Sequence, residues 1–140
     1  MKPSFTRPFQ TAESDVPHAR DTATFLKARL AFAEFARTSD GKLHLLVYGK
    51  VITGHVDPIE KKPVVHYMPG SKIFSIATTG CNWLCHYCQN FDISLRRKVE
   101  GSDHSPEDIA GMAVSHGCQG LAYTYNQPTI FVEFARDVGL

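Results

Sequence analysis

Three cysteines fall in one short stretch, Gly80-Cys81-Asn82-Trp83-Leu84-Cys85-His86-Tyr87-Cys88-Gln89-Asn90. Three residues separate the first pair and two residues the second. Thiolates at this spacing can converge on one inorganic centre. Three of them on a four-iron cluster leave one iron without a protein ligand, open to a substrate or cofactor. The pattern speaks for chemistry more than for structural reinforcement.

Other cysteine chemistries compete. A structural zinc site takes four ligands, often as two separated cysteine pairs. Here the fourth would come from His86 or from Cys118. A disulfide framework suits small secreted chains, but Met1 to Pro17 is polar, holds three prolines and lacks a hydrophobic signal core. Cys85-His86-Tyr87-Cys88 alone matches a thioredoxin-like redox pair, which leaves Cys81 without a role.

The elements that must position this loop can be read from the pattern around it. Ile73-Phe74-Ser75-Ile76-Ala77 is a continuous apolar run of strand length, and the cysteine loop follows directly. Ser105-Pro106-Glu107-Asp108 is a helix start, with Ser105 at the cap, proline at the first helical position and acids in the first turn. That helix is expected to reach about His116 and to end at Gly117. Gly120 to Tyr125 reads as a second buried strand, and Thr129 to Val138 as a second helix opened by Pro128. Strand, loop, helix, strand, loop, helix is a parallel β/α order. In such sheets the active site lies beyond the carboxyl ends of the strands. Loops 78–90 and 125–129 both follow strands on that edge.

The N-terminal half is less regular. Residues 1–22 read as a flexible polar arm. A helix is expected from about Ala23 to Arg37, with Asp21 or Thr22 as its cap. Ser39-Asp40-Gly41-Lys42 reads as a turn, Leu43 to Tyr48 as a strand broken at Gly49 and continued by Val51 to Thr53, and Val64 to Tyr67 as an extended piece. The expected division is a 1–22 arm, a 23–70 helix and β segment, and a 71–140 pair of β/α units.

The chain has 140 residues, 43% of them hydrophobic, which is enough for one ordinary domain. Fifteen basic and fourteen acidic side chains nearly cancel, so charge points to neither nucleic acid nor an acidic membrane surface. No apolar run approaches the roughly 18 residues of a membrane span. Reduced thiolates and an oxygen-sensitive cluster fit the cytoplasm.

The cysteine spacing, with Tyr87 as the aromatic before the last cysteine, resembles the radical S-adenosylmethionine superfamily. Further segments are similar to one branch, the AmmeMemoRadiSam-system proteins, related to pyruvate formate-lyase activating enzymes. They include Val56-Asp57-Pro58-Ile59-Glu60-Lys61-Lys62-Pro63, Pro69-Gly70-Ser71 and Tyr123-Thr124-Tyr125-Asn126-Gln127-Pro128-Thr129, within a resemblance covering about residues 41–140.

The resemblance implies an α/β fold that begins a partial (β/α) TIM-like barrel, preceded by an N-terminal helix and short strands. It implies a [4Fe-4S] cluster on Cys81, Cys85 and Cys88. S-adenosylmethionine would be chelated at the open iron and cleaved reductively to a 5′-deoxyadenosyl radical. The implied partners are an electron donor such as flavodoxin or ferredoxin, and a substrate that could be a protein; nucleic acid and membrane are not implied. Tyr87 would flank the adenine. Asn126 and Gln127 lie where relatives bind the amino group of the cofactor. Gln127 replaces the usual acid there, keeping a carbonyl acceptor but losing the charge. No residue is assigned as catalytic acid or base.

Two departures stand out. The extra cysteines of the branch before the Gly41-Lys42-Leu43 block are missing here. Two β/α units against about six in the superfamily imply an N-terminal fragment. The competing readings are an inactive iron–sulfur-binding fragment and a zinc-stabilised interaction module. Several nearby side chains have weaker claims. Asn90 and Asp92 are candidates for cofactor or substrate contact, His86 for tuning the cluster, Trp83 for shielding it, and Arg96-Arg97-Lys98 for a cofactor carboxylate or a solvated loop.

Overall fold

The structure, a computed structural model, describes residues 35–39, 42–64, 66–83, 85–96 and 98–140. Among them are seven strands: β1 (Ala36–Ser39), β2 (Lys42–Leu45), β3 (Lys50–Val51), β4 (Thr53–Pro58), β5 (Lys72–Ala77), β6 (Ser102–Asp103) and β7 (Gly120–Tyr123). The helices are α1 (Phe91–Ser94), α2 (Pro106–Ser115) and α3 (Val132–Val138), with 3₁₀ turns at Ile59–Lys61 and Pro128–Phe131.

β5 is the centre of the largest sheet, whose order is β4-β5-β7. Every residue of β5 after Lys72 is buried, because both faces of the strand are covered. Phe74 and Ile76 belong to the main core, with Ile109 and Ala113 of α2, Phe134 and Val138 of α3, and Ile130 and Phe131 of the turn before α3. Ser75, between Phe74 and Ile76, is fully buried and spends its hydroxyl on Asp57 of β4, 2.8 Å away. β7 runs parallel to β5, with Ile73 beside Gly120 and Ile76 beside Tyr123. Both strands therefore end on one edge, and the loops after them, 78–90 and 124–127, start there.

α2 begins as its sequence dictates. The Ser105 hydroxyl accepts from the Asp108 N–H at 3.1 Å, and Asp108 accepts from the Ser105 N–H at 2.9 Å, a reciprocal capping box with Pro106 at the first helical position. The helix stops at Ser115, and Gly117 follows at φ +67°, a conformation glycine adopts without strain. At the other end of the described chain, β1 and β2 pair as an antiparallel hairpin with Ser39 opposite Lys42.

Several expectations need correction. The expected start of a partial (β/α) TIM-like barrel does not form. Barrel closure requires each strand to accept a parallel neighbour on either side. Here antiparallel β4 fills one side of β5 along all six residues, from Thr53 opposite Ala77 to Pro58 opposite Lys72. The other described strands form two separate two-stranded pairs, β1-β2 and β3-β6. The architecture is a small mixed α/β arrangement of short strands.

The expected helix at 23–37 falls on residues outside the description as far as 34, and its last residues, Ala36 and Arg37, lie in β1. The 43–48 strand ends at Leu45, and Leu46 to Gly49 form turns. The expected extended piece at 64–67 has no strand, with Val65 outside the description. The second helix of the C-terminal half opens as a 3₁₀ turn at Pro128 and becomes α-helical only from Val132.

Candidate functional site

The cysteine loop is fixed at its root. Its backbone closes on itself where the Gly80 N–H donates to the Ile93 carbonyl at 2.9 Å. Asn126, buried in the loop after β7, reaches across with its Nδ2 to the carbonyls of Thr78 and Gly80, at 2.9 and 2.6 Å. In return, Asn90 Nδ2 donates to the Tyr125 carbonyl at 2.9 Å. Two asparagine side chains thus tie the two edge loops together. Gly80 has φ +85°, and a Cβ there would lie 1.9 Å from Cζ of Phe35, a buried ring packed on the root. The position admits glycine alone on both conformational and steric grounds.

Beyond the root the loop opens. Cys81 and Cys88 are half-buried, Cys85 is exposed, and all three are free thiols. The Trp83 N–H donates to Cys81 Sγ at 3.4 Å. A turn closes Cys85 to Cys88 through their backbone at 3.3 Å. Among the described residues, no group of three or more His, Cys, Asp or Glu side chains is gathered closely enough to hold a metal ion. The thiols share a closed loop without sharing a centre. The donor set, three thiols in one short loop with one already taking an N–H bond, has the chemistry a thiolate-bound cluster needs.

The other expected site residues divide. Asn126 is at the root, and its Oδ1 is buried without a partner, as is that of Asn82. Gln127 stands at the head of the 3₁₀ turn without capping it by its side chain. Tyr87 is 90% exposed and Trp83 is also exposed. His86 is exposed. Arg96 is bonded to Glu100 and to the Asp92 carbonyl, and Lys98 pairs with Glu100, so these cations serve the following loop. Arg97 lies outside the described residues. Cys118 is half-buried against the main core, away from the cysteine loop.

Sequence reasoning missed the buried carboxylate of Asp57, which lies on β4 opposite Ile73, toward the amino end of β5, and is reached by Tyr125 from the loop after β7. Asp57 is 5% exposed and accepts four hydrogen bonds: from Lys61 Nζ at 2.8 Å, Lys62 Nζ at 2.6 Å, Ser75 Oγ at 2.8 Å and Tyr125 OH at 2.8 Å. Burial alone would raise its pKa. The bonds from the two lysines, the serine and the tyrosine outweigh it and hold the carboxyl well below the usual range. Burial, then the bond to Asp57, pushes the Tyr125 phenol up to about 12. Lys62 Nζ also sits 5.0 Å from the centre of the Tyr125 ring. Tyr125 itself has φ +69°, a left-handed conformation that a non-glycine residue holds only under constraint. An acid followed by lysines four and five residues on was the signal available in the sequence.

Among the described residues, no helix is long and apolar enough to cross a membrane. Over 103 residues the chain is 39% identical to an uncharacterized protein of Methanocaldococcus jannaschii, a match covering 72% of this chain and 31% of that protein. The chain thus spans about a third of the length of the curated relative it matches. No protein-family profile matches it. No solved structure matches it either, so no structural relative supports the expected barrel.

Proposed function

We propose that the 80–93 loop binds a [4Fe-4S] cluster through Cys81, Cys85 and Cys88, and that the chain carries the cofactor-cleaving site of a radical S-adenosylmethionine enzyme. The observation that carries this reading is the closed cysteine loop. Three free thiols hang from a root that Asn126 fixes to the edge loop after β7. When bound, the cluster supplies an electron to S-adenosylmethionine, which starts hydrogen abstraction from a substrate.

The chain's own residues supply the rest. The rigid root limits how far the thiols must travel to meet. The Trp83 N–H, 3.4 Å from Cys81 Sγ, helps hold that side chain in place. Gln127 offers a neutral acceptor to the amino group of the cofactor, and exposed Tyr87 is accessible to an adenine face. The partners in this reading are S-adenosylmethionine and an electron donor of the flavodoxin or ferredoxin type. The compartment is the cytoplasm, where thiols stay reduced.

Anaerobic reconstitution with iron and sulfide tests the reading, followed by metal and sulfide analysis and by EPR with and without S-adenosylmethionine. The expected outcome is a four-iron cluster whose EPR signal shifts with the cofactor. Replacing Cys81, Cys85 or Cys88 by serine abolishes it, while Cys118→Ser leaves it intact. Stoichiometric zinc with no iron uptake would sink the reading in favour of a zinc-stabilised interaction module. A cluster indifferent to S-adenosylmethionine would leave an iron–sulfur-binding fragment without the activity.

A further inference from the structure

The Asp57 cluster has more positive charge than it consumes. One buried carboxylate holds two ammonium groups. Lys62 is largely covered, 15% exposed, and lies over the Tyr125 ring. Lys61 is 59% exposed, and its single hydrogen bond to Asp57 Oδ1 leaves it with spare donors, since an ammonium has three.

Lys61 lines a cavity of about 360 Å³ together with Thr53, His55, Asn90, Asp92 and Tyr125. That volume lies at the small end of the range for ligand pockets, roughly 300–1,000 Å³. Its walls come from β4, from the turn after it, and from the returning limb of the cysteine loop. Thr53 Oγ1 and His55 Nε2 lie 2.9 Å apart on that wall and add hydrogen-bonding groups. Tyr125, whose backbone is constrained, forms part of the lining. Such strain is found where the surrounding structure demands one fixed geometry.

We propose that this cavity binds a small oxyanion, a carboxylate or a phosphate, with Lys61 as the cation that receives it. Lysine suits the role as a point charge on a flexible stem, and the bond it makes is charge-assisted. Asp57 keeps Lys62 when the guest arrives, so the buried carboxylate is never left unpaired. Asp92, exposed on the opposing wall, is the carboxylate the guest must tolerate. It weakens binding and selects against guests carrying negative charge at both ends. As the substrate pocket of the cysteine-loop site, the cavity rests on the proposed function. As an anion site it does not.

The test uses the reduced, metal-free chain, so that its result and the iron result fail separately. Sodium phosphate and sodium acetate are titrated in turn and followed by two-dimensional amide NMR, with sodium chloride at matched ionic strength as reference. The expected result is a saturable shift of amides in 53–61 and 89–93 with at least one oxyanion. The one that saturates at lower concentration identifies the headgroup. Lys61→Gln weakens binding roughly ten-fold, Lys61→Arg retains it, and Asp92→Asn tightens it about two- to five-fold. Lys98→Gln, on the loop that Glu100 organises, changes nothing. No saturable shift with either oxyanion beyond chloride would overturn the proposal. So would equal affinity in Lys61→Gln whose spectrum outside the cavity matches the parent.

Discussion

Asn126 joins two loops with one amide. Its Nδ2 reaches the Thr78 and Gly80 carbonyls, which no strand partner satisfies. Asn126→Ala leaves both carbonyls buried without that donor, and the expected cost is about 2–3 kcal/mol, read as a lower midpoint in urea denaturation. Iron retention after reconstitution should fall in the same variant although every cysteine is still present. Asp57 makes a separate prediction with a definite sign. Its carboxyl is held below the usual value in the folded chain, so its contribution is fully present above the unfolded value of about 3.9. That contribution is lost as pH falls from about 4 through the folded value. Asp57→Asn should be less stable than the parent by about 1–3 kcal/mol at neutral pH. Denaturation midpoints measured across the acid range should converge for the two proteins as pH drops; a constant gap would show that the charge of Asp57 does not matter.

At the scale of elements, the loop from Gly80 to Ile93 is a closed unit whose root is steric as well as hydrogen-bonded. Gly80→Ala would place a methyl group inside the Phe35 ring and force a left-handed backbone on alanine. A loss of roughly 2–4 kcal/mol is expected, measured by thermal or urea unfolding; a change under ~0.5 kcal/mol would mean that Phe35 does not pack there. The elements legible in the sequence were those whose local signals agree. β5 is a short apolar run covered on both faces, and α2 carries its cap, its proline and its terminal glycine in order. β4 was not legible beyond its first residue. Thr53-Gly54-His55-Val56-Asp57-Pro58 shows no clean alternation, and its pairing comes from β5 rather than from its own propensity. β1 was hidden for the same reason. The spacing of the cysteines located the candidate loop, and the β/α order placed the 125–129 loop on the same edge. Asp57, Lys61 and Lys62 are local in sequence, but the Ser75 and Tyr125 half of their cluster was out of reach, because it depends on β4 lying beside β5 and on the turn of Tyr125. Neither is written in local pattern.

For the molecule as a whole, the packed side lies where α2, α3 and the turn before α3 cover Phe74 and Ile76, while the tip of the cysteine loop stands in solvent. Hydrogen exchange should divide along that line. Amides of β5 and of β7 that pair with it are expected to exchange most slowly. Those of 85–87 should exchange within the first time points, and Gly80, bonded to Ile93, should fall between them. Uniform protection across the loop would contradict the division into fixed root and open tip. The closed root also has a statistical consequence. A chain joined at 80 and 93 confines its three sulfurs to a small shared volume, so each meets the others at a high effective concentration before any guest arrives. Part of the search for a common centre is completed when the chain folds. If the thiols take a shared guest as proposed, its affinity is set partly at Gly80 and Asn126, outside the three sulfurs themselves.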